Sequence, residues 1–419
     1  MVALSLLGIF FTAILGTPIF IIMSLMALVL FFASGVELSA IAVEIYRIAS
    51  QPSILTIPLF TFAGYLMAES HSPKRLLRFA EAAFGWLPGG IAIVALIVCA
   101  FFTAFTGASG VTIIALGGLI FPILLKDGYD EKFSLGLITS TGSLGLLFPP
   151  SLPIILYGLV AKVDIDKLFK AGILPGVLLI IVLSVYSIYK GPKQTKKHEF
   201  HLKELWASLR ACFWEALLPV LVLVGIYGGF TTVTEAAAIT ALYIFIIEVF
   251  VYKDLKLTKD IPRIVVESSS MVGGILLILC CALGFTNYLV DEEVPMKILA
   301  LMKTYLNDKY SFLLFLNIFL LVVGCLMDIF SAIIVVVPLI LPIAQDFGVD
   351  PIHLAIIFLT NLEIGYLTPP VGINLFLSSF RFKKPITELY RAAIPFIILL
   401  ISCLLIITYF PKLTLFWFE

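Results

Sequence analysis

Long apolar blocks separated by short polar connectors dominate the chain. Most blocks approach ~20 residues, the length of a helix that crosses the hydrocarbon core of a bilayer. The pattern therefore predicts an all-α polytopic membrane protein. The first block continues past residue 30 without a small-residue cleavage site, so we interpret it as a retained span rather than a signal peptide. The blocks cover residues 3–33, 54–70, 88–105, 111–126, 131–160, 168–190, 215–231, 233–253, 270–290, 310–327, 331–345, 351–380 and 388–411.

Two pairs of neighbouring blocks have connectors that are too short for an ordinary water-exposed loop. The first pair, 88–126, turns at Thr106-Gly107-Ala108-Ser109-Gly110, and the second pair, 310–345, turns near Asp328. Small residues suit a re-entrant hairpin that turns back inside the protein, so we predict one hairpin in each segment. Blocks 131–160 and 351–380 are too long for one simple span and carry Pro-Pro in the middle, which predicts two broken helices.

Composition agrees with the membrane class. Hydrophobic residues make up 61% of the 419 residues, charged residues make up 13%, and the mean hydropathy is +1.13. A soluble domain carries about 25% charged residues. Basic and acidic residues number 27 each, so no excess of positive charge favours nucleic-acid binding. HExxH is absent, and no paired-Asp or Ser/Lys arrangement lies at bilayer depth, so we do not expect an enzyme.

Charge in the connectors predicts the orientation. If the connectors alternate between the two sides, one side carries 19 Lys and Arg residues and the other carries 8. The positive-inside rule places the richer side in the cytoplasm. The N-terminus is then cytoplasmic and the C-terminus lies outside.

An internal repeat appears when the chain is shifted by 220 residues. Segment 113–150 matches 333–370 without a gap at 12 of 38 positions, including both Pro-Pro pairs. An odd number of crossings separates the two hairpins, which predicts repeats of opposite orientation. Inverted repeats with interrupted helices are typical of secondary transporters. We predict a first repeat at 1–190, a cytoplasmic amphipathic linker helix at 191–214, and a second repeat at 215–419.

The broken helices predict cation sites. Proline has no N–H, so Pro149-Pro150 and Pro369-Pro370 free carbonyls four residues earlier, beginning at Gly145 and Gly365. Converging carbonyl and hydroxyl oxygens suit Na⁺, and helix N-termini beside them suit a carboxylate. The predicted Na⁺ ligands are Thr106, Gly107, Ser109, Thr141, Ser143 and Gly145 in a first site, and Asp328, Ser331, Asn361, Gly365 and Thr368 in a second. The predicted substrate contacts are Ser109, Gly110, Ser143, Asp328, Thr368 and Arg47.

The same residues also allow purely structural roles instead of ligand or substrate binding. A Pro-Pro pair is also compatible with a tolerated kink, and small residues at a hairpin tip also permit close helix packing. Arg47 is also compatible with an exposed interfacial position.

Few charges lie within the apolar blocks, and such residues are functional candidates. Asp328, at the second hairpin tip, is the strongest. Glu363 is a candidate for carrying a coupled proton, which is the main alternative to Na⁺ coupling. Glu235 is either functional or a capping carboxylate at a helix start, and we expect Glu248 to reach the cytoplasmic interface.

Several long motifs resemble the large membrane subunit (M, or DctM, type) of tripartite ATP-independent periplasmic (TRAP) transporters. They are GASGVTIIALGGLIFPILLKDGYD, TGSLGLLFPPSLPIILYG, TTVTEAAA, CLMDIFSAIIVVVPLILPIAQDFGVDP and NLEIGYLTPPVGINLF. The resemblance implies Na⁺-driven uptake of an organic acid, such as a dicarboxylate or sialic acid, across the bacterial inner membrane. It also implies a periplasmic substrate-binding protein, a separate small membrane subunit (Q type) and an elevator-like movement. A stand-alone Na⁺- or H⁺-coupled carboxylate symporter of the same fold is the alternative.

Overall fold

The computed structural model describes residues 17–35, 50–192, 200–306 and 308–418, together with residues 7–9, 11, 12, 43 and 46. The described residues form helices joined by short turns and contain no β-strand. Within this part of the chain, seven helices are long and apolar enough to cross a membrane, and up to ten spans result if each sharply bent helix pair is one span. The predicted all-α membrane class is therefore confirmed.

The helices of the first half follow the apolar blocks closely. They are α1 (Ile19–Ser34), α2 (Thr56–Glu69), α3 (Ser72–Phe84), α4 (Gly90–Thr106), α5 (Ser109–Lys126), α6 (Glu131–Thr141), α7 (Leu152–Ala161) and α8 (Ile165–Lys190). The predicted first hairpin corresponds to α4 and α5. The first predicted broken helix corresponds to α6, a 3-10 turn at Leu144–Leu147, and α7, with a bend of 45°.

The second half contains eleven described helices. They are α9 (Leu202–Ala211), α10 (Phe213–Tyr227), α11 (Val233–Val251), α12 (Asp260–Asp291), α13 (Val294–Tyr305), α14 (Lys309–Leu326), α15 (Ile329–Asp346), α16 (Pro351–Gly365), α17 (Ile373–Phe382), α18 (Ile386–Tyr409) and α19 (Lys412–Leu415). Helices α14 and α15 correspond to the predicted second hairpin, and α16 and α17 to the second broken helix. Of the predicted linker 191–214, residues 193–199 lie outside the described residues, and α9 covers 202–211.

Corresponding turns recur 220 residues apart. Gly128 and Gly348 both adopt a left-handed backbone, with φ of +95° and +72°, and end α5 and α15. Two residues later, the carboxylate of Asp130 accepts a hydrogen bond from Phe133 N (3.2 Å) and that of Asp350 accepts one from Ile352 N (2.8 Å). These carboxylates satisfy the free N–H groups that begin α6 and α16. Both Pro-Pro peptide bonds are cis.

The hairpin of each half packs against the broken helix of the other half. Helix α7 packs against α15, and α17 packs against α5. Gly110 illustrates the fit, because a methyl group there would lie 2.7 Å from Leu377 Cδ1. Each hairpin is therefore held by the broken helix of the other half.

A buried ionic cluster ties α3 to α10 and α11. The Arg75 guanidinium donates to Glu215, to Glu248 (3.1 Å) and to Asp254 (2.6 Å), and it stacks 3.8 Å from the centroid of the Tyr252 ring. The expected interfacial position of Glu248 is wrong, because its side chain is fully buried and bonded to Arg75. Burial makes an ion pair the favoured arrangement for this carboxylate.

Glu235 begins α11 in a capping box. Its carboxylate accepts a hydrogen bond from Thr232 N (2.8 Å), and its own N–H donates to Thr232 Oγ1 (3.2 Å). Of the two interpretations of Glu235, the structure therefore favours the capping carboxylate.

Candidate functional site

Two hinges interrupt the broken helices: the first hinge is residues 142–151, between α6 and α7, and the second is residues 365–372, from the last residue of α16 to the start of α17. Gly145 packs directly against the backbone of α4, since a methyl group on Gly145 would lie 2.2 Å from the Ala100 carbonyl oxygen. Gly365 presses on α14, where a methyl group would lie 2.4 Å from the Gly324 carbonyl carbon. Only glycine fits such a close backbone approach. Each hinge thus lies directly against the first arm of its hairpin.

The two glycine carbonyls expected to be free each accept one hydrogen bond. Gly145 O accepts from Phe148 N (3.0 Å), and Gly365 O accepts from Thr368 N (2.9 Å). A carbonyl oxygen has two lone pairs, so each retains capacity for a cation ligand.

The first hairpin turns more tightly than its sequence predicts. Helix α4 ends at Thr106 and α5 begins at Ser109, so only Gly107 and Ala108 lie between them. Gly107 has φ of +64° and packs on Leu152 of α7. The Thr106 hydroxyl is buried and has no hydrogen-bond partner among the described residues. It is therefore an oxygen available to a ligand at this tip.

Ser143 meets the second half of the chain. Asn374 Nδ2 donates to Ser143 Oγ (3.4 Å) and to Thr139 O (3.3 Å). Thr139 Oγ1 in turn donates to Ser378 Oγ (2.9 Å). The Asn374 amide oxygen is buried without a partner in the described chain. Asn374, on α17, is thus a candidate site residue that the sequence did not reveal.

A second polar contact missed by the sequence joins the first hairpin to the first hinge. Thr103 Oγ1 lies 2.7 Å from Thr112 Oγ1 and donates to Gly142 O (3.0 Å). Thr141 has a different environment, since its hydroxyl donates to Ile138 O (3.0 Å) and its side chain contacts the Cys99 thiol. Thr141 therefore faces the body of α4, whereas Thr103 and Thr112 join the two arms near the tip.

At the second hairpin, Asp328 caps α15. Its carboxylate accepts from Phe330 N (3.0 Å), Ser331 N (3.0 Å) and the Ser331 hydroxyl. The second hinge holds the same tip, because Ile329 N donates to the Tyr366 hydroxyl (2.7 Å). The carboxylate thus has its first role as a helix cap, and its remaining lone pairs are those available to a cation.

The side chains of two other predicted ligands of the second site make hydrogen bonds of their own. Thr368 Oγ1 donates to Ile364 O (2.9 Å). Asn361 Nδ2 donates to Asn317 Oδ1 (2.7 Å), and Asn317 precedes the end of α14 by nine residues, about 14 Å along a helix. The Asn361 amide oxygen is buried and unpaired within the described residues. Asn361 therefore belongs to the α14–α16 contact rather than to the tip.

Glu363 occupies the position that corresponds to Ser143 after the 220-residue shift. Its side chain is fully buried, and both carboxylate oxygens lack a hydrogen-bond partner among the described residues. Arg47 lies outside the described residues. No group of three or more His, Cys, Asp or Glu residues in the described chain is placed to hold a metal ion.

The fold and these paired hinges place the chain among multi-pass membrane transport proteins with interrupted helices. The family model described as "Tripartite ATP-independent periplasmic transporter, DctM component" matches residues 6–413. The chain belongs to this family, which confirms the resemblance seen in its motifs. It is a transporter permease, not an enzyme.

Individual relatives agree with this assignment. The chain is 35% identical to the "C4-dicarboxylate TRAP transporter large permease protein DctM" of Pseudomonas aeruginosa, over 93% of this chain and 91% of that one. It is 33% identical to the protein of the same name from Rhodobacter capsulatus, over 99% and 98%. It is 36% identical to the "Isethionate TRAP transporter permease protein DctMQ" of Oleidesulfovibrio alaskensis, of which it spans 64%.

A solved structure shares the fold. The Alcanivorax borkumensis YdaH transporter superimposes with a TM-score of 0.62 at 14% identity, covering 89% of this chain and 88% of that one. At that identity the likeness supports the architecture alone.

Proposed function

We propose that this permease drives Na⁺-coupled uptake of an organic acid that a periplasmic binding protein delivers. The observation that carries the proposal is the pair of hinges, each with a glycine packed directly against the first arm of a hairpin and with a carbonyl that keeps one lone pair free of the hydrogen bond it accepts. Carbonyl and hydroxyl oxygens at interrupted helices coordinate Na⁺ in secondary transporters. The unpaired Thr106 hydroxyl and Asn374 amide oxygen add neutral ligands near the first hinge.

The substrate is an organic anion. Two relatives are named for C4-dicarboxylates and one for isethionate, and all of these are small acids. The beginning of α5 at Ser109 and Gly110 presents free N–H groups suited to an acid group. Its neighbours Ser143 and Asn374 supply polar contacts from both halves of the chain.

The transport movement rests on two structural repeats of opposite orientation in the bacterial inner membrane. Elements that recur 220 residues apart, with an odd number of crossings between the hairpins, have opposite orientations. The exchanged packing of α5 with α17 and of α15 with α7 joins both hairpins and both broken helices into one body. This body moves as an elevator against the remaining helices. The N-terminus lies in the cytoplasm and the C-terminus in the periplasm.

A small membrane subunit of the Q type completes the transporter. The Oleidesulfovibrio alaskensis relative is named DctMQ, and this chain spans 64% of its length. The remainder of that relative is the part that would correspond to a Q-type subunit.

A stand-alone H⁺-coupled symporter is the second candidate. Glu363 favours it, because a fully buried carboxyl without partners is a natural proton carrier.

Reconstitution tests the proposal directly. The chain, a Q-type subunit and the binding protein encoded beside it are assembled in proteoliposomes, and uptake of C4-dicarboxylates, sialic acid and isethionate is measured with and without a Na⁺ gradient. We expect uptake only with all three proteins and Na⁺. Robust uptake by this chain alone would support the stand-alone symporter instead.

A further inference from the structure

An apolar cavity of about 280 Å³ lies beside the first hinge. Helix α4 contributes Phe105, the hinge contributes Phe148 and Pro149, α8 contributes Ile180, and α10 contributes Leu223. Every lining side chain is apolar, so the cavity offers no side chain that would bind a carboxylate or a cation. Its occupant must therefore be apolar.

The cavity lies at the depth of lipid acyl chains. Leu223 follows the start of α10 at Phe213 by ten residues, about 15 Å along the helix, which is half of a ~30 Å hydrocarbon core. Ile180 lies fifteen residues into the 26-residue α8, also near its middle.

The rim of the cavity is continuous with the outer apolar surface of the protein. The residues next to the lining are exposed: Val224 by 55% and Val220 by 52% on α10, and Ile181 by 54% on α8. In a multi-pass membrane protein, an exposed apolar surface at this depth faces lipid. The cavity is therefore open to the bilayer.

We propose that this cavity binds an acyl chain of a membrane phospholipid. Size excludes a whole helix of a partner protein from the interior of the cavity, since a helix 10–12 Å wide that rises 1.5 Å per residue occupies about 120–170 Å³ per residue. The cavity thus has room for about two helical residues. A narrow, unbranched hydrocarbon chain that enters from the bilayer satisfies the size, the depth and the chemistry of the lining together.

The position gives the acyl chain a mechanical role. It lies between α10 and Phe148 of the first hinge, and the Phe148 ring itself contacts α8 at Gly176, where a methyl group would lie 2.6 Å from the ring. Interdigitated side chains resist sliding because they are packed at crystal-like density. A fluid chain at this seam lets the hinge move past α10 without breaking such packing.

Photo-crosslinking tests the site. The full chain is placed in nanodiscs of phosphatidylethanolamine and phosphatidylglycerol with a trace of phosphatidylcholine that carries a diazirine halfway along one acyl chain. After irradiation, adducts are mapped by mass spectrometry. We expect them to concentrate on 101–105, Phe148 and 219–223. Leu223→Trp fills the cavity and should lower the yield on 101–105 severalfold, whereas Val224→Trp, at the adjacent lipid-facing position, should not.

Three results would overturn the proposal. The first is an equal yield in the two tryptophan variants. The second is a cavity yield no higher than that at Val185, an α8 residue that is 60% exposed. The third is loss of the adducts when a Q-type subunit is added, which would mean that a side chain of that subunit, and not an acyl chain, occupies the cavity. Ala104→Leu fills the cavity from the opposite wall and replaces Leu223→Trp if that variant does not fold.

Discussion

Replacement of Arg75 by leucine removes a cation that is bonded to three carboxylates. Glu215 and Glu248 are fully buried, and the Asp254 side chain is 12% exposed. Breaking one buried ion pair costs about 3–5 kcal/mol, because the remaining charge is left uncompensated. The Tyr252 hydroxyl still donates to Glu215 (2.8 Å) and the Ser72 hydroxyl to Glu248 (2.6 Å). We therefore expect the lower end of this range, about 3 kcal/mol of unfolding free energy.

Denaturant titration in detergent micelles measures the loss. Arg78→Ala is the matched control on the same helix, since the Arg78 and Glu204 side chains are 56% and 48% exposed and such a pair contributes about 1 kcal/mol or less. Adding Glu248→Gln to Arg75→Leu removes one of the unpaired charges and should restore part of the stability. If Arg75→Leu costs no more than Arg78→Ala, the cluster does not anchor α3 and the reasoning is refuted.

Three further predictions concern the hinges, acid stability and orientation. Gly145→Ala and Gly365→Ala should each lower stability by about 1–3 kcal/mol and reduce uptake, because backbone atoms occupy the space of the new methyl group. Gly273→Ala is the control, since its methyl group would meet nothing within 4 Å, and it should behave as the native protein in both assays. Burial alone would raise the pKa of Asp254, but hydrogen bonds from Arg75 and His71 outweigh burial and hold the pKa below its ordinary value. The stability that the ionised Asp254 contributes is therefore lost as pH falls below about 5. In melting temperatures measured over a pH series, Asp254→Asn should lose less stability in acid than the native protein. In a cysteine-free background, a cysteine at Lys203 should react only with reagents that reach the cytoplasm and one at Glu292 only from outside, and the opposite labelling would reverse the orientation.

Local pattern predicts the helices well because each helix carries its own signal. The Pro-Pro pairs mark both hinges, and the blocks 88–105 and 310–327 match α4 and α14 within two residues. The tip at Thr106–Gly110 is less well predicted, since Ser109 and Gly110 lie inside α5. Small residues such as Ser and Gly are common both in turns and in the first turn of a helix, so they do not mark where the turn ends.

Contacts between distant segments have no such local signal. Asn374 meets Ser143 across 231 residues, and Glu248 meets Arg75 across 173. The 220-residue shift does not reveal these pairs, because it aligns equivalent positions rather than neighbours. It does reveal that Glu363, near the end of α16, takes the place of Ser143 in the first hinge, so the two halves are chemically unequal there. Glu363 is therefore the residue to change when the proposed Na⁺ coupling is tested against proton coupling.

The dependence of uptake on Na⁺ in the complete transporter tests whether the oxygens at the two hinges couple transport to Na⁺. Uptake is titrated with Na⁺ at equal internal and external pH, in proteoliposomes that carry the native chain, Ser143→Ala or Glu363→Gln. We predict a sigmoid Na⁺ dependence, a higher half-saturating Na⁺ concentration for Ser143→Ala, and an intact Na⁺ requirement for Glu363→Gln, since neutral oxygens hold the ion. A second series imposes a pH gradient without Na⁺, and uptake that runs on this gradient and disappears with Glu363→Gln would contradict Na⁺ coupling.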